Sequence, residues 1–169
     1  MNIGYKDNKY LSIVDDILAH TEFSKTKDIT HHGMNRYDHS LRVSYYSYLV
    51  AKGLHLDING TARGALLHDF FLEKTEAIGS NKVRAAVLVN HPKYALLNAS
   101  KYFTLSDKEQ DIILTHMFPV SLKVPRYLES WIVDIVDDLV SIFEKVYSVR
   151  SELSAAMSFL LVISLNAIR

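Results

Sequence analysis

Four histidines and two aspartates stand where their side chains are costly to hide. His68 and Asp69 are adjacent, with Ala65-Leu66-Leu67 before them and Phe70-Phe71-Leu72 after. His39 follows Tyr37-Asp38, His91 lies in Asn90-His91-Pro92, and His116 precedes Met117-Phe118-Pro119. Asp137 sits among Val133, Val136 and Val140. Each histidine alone reads as a hydrogen-bonded core residue. The His68-Asp69 pair is different, because an imidazole and a carboxylate in an apolar run cost free energy unless something positive compensates them. A divalent cation does so, binding the carboxylate as an anion and the imidazole as a neutral base. The chain has no cysteine. Disulfides, thiolate zinc sites and cysteine nucleophiles are therefore excluded, and any metal must be held by nitrogen and oxygen. His20, His31 and His55 fall in polar segments and receive no role.

The elements that must position these residues are helical. Three prolines and six glycines in 169 residues, with apolar spacing of the helical period, predict one all-α domain over residues 1–169, a bundle of about seven or eight helices. The first helix is expected over Lys9–Thr21, followed by a long polar loop over Glu22–Asn35. The second spans about Asp38–Lys52 and stops at Gly53, read as its C-terminal cap. Asp57 caps the third, which carries Ala62, Ala65, Leu66 and Leu67. A weaker segment at Lys82–Val89 precedes Pro92, which pushes His91 out of helical geometry and places it at the mouth of a helix over Pro92–Tyr102. Ser106 and Glu109 form a capping box for a helix to about Met117. A long helix over Arg126–Tyr147 follows, then a separate apolar C-terminal helix over about 151–168. The core of the domain is expected over about 31–147.

The ordered set of His39, Leu66-Leu67-His68-Asp69 and a late aspartate in an apolar helix resembles the HD superfamily of metal-dependent phosphohydrolases. The similarity runs over about His31 to Tyr147. It is nearest to small bacterial members with segments like Arg36-Tyr37-Asp38-His39-Ser40 and His116-Met117-Phe118-Pro119. The resemblance implies that His39, His68, Asp69 and Asp137 surround one metal. It further implies that His91 and His116 hold a second, as in the two-metal branch, with Asp69 bridging the pair and His68 and Asp69 central to catalysis. The expected cofactors are two divalent ions such as Fe or Mn. Asp134 and Asp138 lie within a turn of Asp137 and compete for its role; Val133 and Val140 flank Asp137 on its own face. Some branches carry glutamate or lysine three residues after the His-Asp aspartate. Leu72 stands there in this chain, which sets it apart from the one-metal nucleotidases and the cyclic-dinucleotide phosphodiesterases.

The expected activity is hydrolysis of a phosphate ester on a nucleotide or other small phosphorylated metabolite. Arg36, Arg126, Lys93 and His32 are the candidate substrate-binding residues, since cations, and guanidinium forks above all, suit phosphate oxygens. Arg42 lies one turn after His39 and is a further cation near the site. Two other readings belong to different classes: a di-iron oxygenase of the same fold, and a sensor that binds a nucleotide without turning it over. Nineteen basic and nineteen acidic side chains cancel, so no net field draws the chain to nucleic acid or anionic lipid. The N-terminus lacks the apolar run of a secretory signal. Residues 155–168 are apolar but shorter than the ~20 residues of a membrane span. A cytoplasmic protein that forms a homodimer through its C-terminal helix is expected.

Overall fold

A computed structural model describes residues 7–31, 34–72 and 81–167, with the side chains of 30, 31, 34, 81–85, 88 and 151–167 outside that description. Seven α-helices are described, in the order α1 (Asn8–Leu18), α2 (Thr21–Ser24), α3 (Arg36–Gly53), α4 (Ile58–Leu67), α5 (Asn81–Tyr102), α6 (Asp107–Thr115) and α7 (Leu128–Ala167). The all-α expectation holds. The expected loop over Glu22–Asn35 does not. It contains α2, a 3-10 turn at Lys25–Asp28, and a minimal antiparallel ribbon, β1 (Thr30–His31) against β2 (Met34–Asn35). Elements of two to four residues are too short to show a period. What holds them is local: the His20 side chain caps α2 by accepting from the Glu22 N–H, and Phe23 and Thr26 are buried.

α4 lies at the centre of the bundle, packed on α3, α6 and α1, while α7 covers α3 and α6. Leu66 and Leu67 join Tyr10, Val14, Ile17, Phe70 and Ile113 in one apolar cluster; Ala65 joins Val43, Ile112, Val133 and Val140 in the other. Gly64 lets α4 come close to α6, since a Cβ there would meet Ile112 side-chain atoms at 3.0–3.1 Å. Gly64 is one turn before His68, and Ile112 is one turn before His116. This close contact therefore sets how near those two rings come.

Three expected boundaries are corrected. Gly53 is the last helical residue of α3, not its left-handed cap. His55 takes that conformation, with φ 58°. The His55 N–H reaches the Lys52 carbonyl and the Leu56 N–H the Ala51 carbonyl, the paired bonds of a Schellman motif. A left-handed β-carbon costs about 1 kcal/mol, so His55→Gly is expected to stabilise the protein by up to that amount in urea unfolding. Second, Pro92 is inside α5 and His91 is a helical residue rather than a helix mouth. Proline removes its own N–H and crowds the carbonyl four residues back, a cost that the burial of Pro92, Ala95 and Ala99 offsets as the helix continues across it. Third, the two expected C-terminal helices are one, α7, of 40 residues. Ser148-Val149-Arg150-Ser151 contains neither glycine nor proline, so nothing stops the helix.

Candidate metal centre

Five elements deliver the His/Asp set to one buried place. Asn35 caps α3 by accepting from the Asp38 N–H at 2.8 Å, which places His39 on the first turn. His68 and His116 share one device. Each is the C-terminal cap of its helix, α4 or α6. Each turns its Nδ1 back to the carbonyl three residues earlier, Ala65 at 2.7 Å and Ile113 at 2.9 Å. A carbonyl only accepts, so Nδ1 carries the hydrogen and Nε2 presents a lone pair to the interior. His91 comes from α5, its ring stacked on Phe71. Asp137 comes from α7. All six residues are buried.

The donor atoms form two adjoining groups. In the first, His39 Nε2 is 2.9 Å and His68 Nε2 3.7 Å from Asp137 Oδ1. In the second, His91 Nε2 is 3.1 Å and His116 Nε2 3.7 Å from Asp69 Oδ1. The two histidine Nε2 atoms stand 2.8 Å apart. Asp69 joins the groups, since its other oxygen, Oδ2, lies 3.9 Å from His68 Nε2. Ligand atoms about 2.1 Å from a common ion stand roughly 3.0–3.4 Å from one another, and these spacings bracket that range. The sets His39, His68, Asp137 and His68, Asp69, His116 each converge closely enough to hold an ion. One atom makes the fit specific. His68 Nε2 is buried and has no hydrogen-bond partner among the described residues, a loss of about 1–3 kcal/mol that a cation would repair.

The electrostatics suit ligands of opposite kinds. Burial pushes the His116 imidazole down to about 3, and His68 and His91 beside it add to this. It is a neutral base at any physiological pH. Burial would also lower His39, but its contacts with Asp137 and Glu144 outweigh that and lift it to about 10. Burial raises Asp137, yet the neighbouring His68 and His39 hold its carboxyl well below the usual carboxylate range. Asp137 is the aspartate of its helix that reaches the cluster. Asp134 is buried too but accepts from the Phe118 N–H at 3.1 Å, with burial and the nearby aspartates pushing it up to about 7. Asp138 is exposed.

The four substrate-facing candidates fare differently. Arg36 is fully buried: its guanidinium lies over the Phe71 ring, 3.6 Å from the centroid, and donates to the Phe71 carbonyl. Its Nε is 4.0 Å from Asp69 Oδ2. It thus supports the aspartate from behind. Arg126 is exposed and its Nε pairs with Asp111 at 2.8 Å; Lys93 is exposed and bonds Asn90 Oδ1 at 3.1 Å. His32 lies outside the described residues. Sequence reasoning missed Glu144. This carboxylate, seven residues after Asp137 on the same face of α7, is buried and divided between two partners. Its Oε2 is 3.0 Å from His39 Nδ1, and its Oε1 accepts from Arg42 at 2.9 Å. The signal was present in the spacing: Val133, Asp137, Val140 and Glu144 step by four, three and four, a single buried stripe.

The family model for the HD domain matches residues 36–142. No curated protein and no solved structure matches the chain.

Proposed function

Because the chain belongs to the HD domain family, which consists mostly of metal-dependent phosphohydrolases, we propose that it hydrolyses a phosphate ester of a nucleotide or other small phosphorylated metabolite, using two divalent ions. His39, His68, Asp69 and Asp137 would hold one ion. His91, His116 and Asp69 would hold the other. The observation that carries this reading is the division of Asp69, one oxygen toward His68 and the other toward His91 and His116. A carboxylate so placed would be able to supply one oxygen to each of two ions.

Divalent ions bound there would polarise a phosphoryl oxygen and lower the pKa of a coordinated water. The chain's own residues do the positioning. The Ala65 and Ile113 carbonyls fix the tautomers of His68 and His116, so no proton must leave Nε2 before it can act as a ligand. Glu144 orients His39 by accepting from Nδ1, so that Nε2 faces Asp137. With a carboxylate at each nitrogen the imidazole is protonated, and an ion binding there would displace the Nε2 proton. Arg36 sets a fixed positive charge behind Asp69. Six ligands over two ions leave coordination positions for water and a phosphate oxygen.

The test is an anaerobic screen of nucleotides and sugar phosphates with Mn- or Fe-loaded protein. Phosphate release without oxygen is expected. Turnover only with ferrous iron and dioxygen, or tight nucleotide binding with no turnover under any metal, would overturn the proposal.

A further inference from the structure

α7 carries three stripes, and the site uses only one. The buried stripe contains Asp137 and Glu144. A narrow polar stripe contains Asp138, Ser141, Lys145 and Ser148. The third is apolar yet bare: Ile135, Leu139, Ile142, Val146 and Val149 are 49–62% exposed. They recur in steps of four, three, four and three. That mean period of 3.5 is the heptad spacing of a supercoiled seam rather than the 3.6 of a helix lying on a globular core. The sequence continues the same steps through Leu153, Ala156, Leu160 and Ile163. Phe143 and Tyr147 widen the bare face. Between it and α3 runs an apolar groove of about 490 Å³, bordered by Tyr46, Val50, Val136 and Leu139. A helix apolar around most of its circumference is one that is covered around most of it.

We propose that this face pairs with the same face of a second copy of the chain, α7 against α7. A heptad seam is complementary to another seam of the same period, and a second copy supplies one by construction. The area is sufficient. Nine large apolar side chains, the seven on α7 with Tyr46 and Val50 across the groove, each about half exposed at ~150 Å² apiece, amount to roughly 650 Å². This is at the limit of what monomers leave bare and approaches the ~800 Å² per partner of a stable interface. A membrane is the poorer occupant, because no helix among the described residues is long and apolar enough to cross one, and charge neutrality gives no pull toward anionic lipid. The pairing would also brace the helix whose opposite stripe bears Asp137 and Glu144.

Sedimentation equilibrium of the 169-residue chain at micromolar concentration tests this. The expected mass is at least twice the 19.3 kDa of one chain. Leu139→Glu with Val146→Glu should return it to a single chain with unchanged far-ultraviolet circular dichroism and metal content, because both residues are exposed in the isolated fold. Ile142→Lys, a milder change, should weaken the association, and Ser141→Glu on the polar stripe should leave it intact. A monomeric wild type, or a double variant that keeps the wild-type mass, overturns the proposal. So does a monomer that instead pellets with phosphatidylcholine–phosphatidylglycerol vesicles, which would assign the face to a membrane surface.

Discussion

Asp69→Ala is expected to abolish phosphate release and to lower bound metal from two ions per chain to one or none. The two oxygens of Asp69 face different histidines, so losing the side chain removes a ligand from both proposed positions at once. The effect should exceed the 10–100-fold typical of residues that merely orient ligands. It also places more positive charge than negative around the cluster, with Arg36 buried behind it. Asp69→Asn separates chemistry from folding: it keeps the shape, should retain native circular dichroism, and should still lose the bridging function. Near-wild-type turnover in Asp69→Asn would show that the carboxylate does not bridge.

The second large effect falls on a residue that touches no proposed substrate or metal. Glu144→Ala is expected to weaken metal binding by about 10–100-fold. Without it, His39 Nδ1 loses the carboxylate it donates to, and with it a restraint on the direction of the ring. Glu144→Gln can still accept at one oxygen and should lose less. Chelator competition measures this directly, without reliance on activity. Equal affinity in all three proteins would reduce Glu144 to a buried partner of Arg42. Because Arg42 shares the carboxylate, Arg42→Ala combined with Glu144→Ala should lose less than the two single changes add up to.

The helical class was legible in the apolar spacing. The His/Asp set came from its resemblance to the HD superfamily, with only the His68-Asp69 pair calling for a compensating charge on its own, and the structure brings the six side chains together. Asp137 could be preferred over Asp134 and Asp138 because Val133 and Val140 mark its face. The capping box at Ser106 and Glu109 and the Asp57 cap were legible for the same local reason, being short-range hydrogen bonds. What depended on long-range partners was not. Arg36 and Arg126 look alike in sequence, yet one is sealed against Phe71 and the other is an exposed partner of Asp111. Nothing within a few residues of either reveals that. Pro92 misled for a different reason: a local rule against helix at His91 lost to packing of the whole of α5, at the place where the site needs His91 to project from a helix. Glu144 went unrecognised because a charged residue late in a helix ordinarily faces water.

The measurement that bears most directly on the central claim is anomalous diffraction at the Mn and Fe absorption edges from crystals of the 169-residue chain. Two peaks are expected roughly 3.5–4 Å apart. One should lie within about 2.0–2.4 Å of His39, His68, Asp69 and Asp137, and the other at the same range from Asp69, His91 and His116. A single peak would abandon the two-ion mechanism, and peaks remote from Asp69 would contradict the metal centre itself.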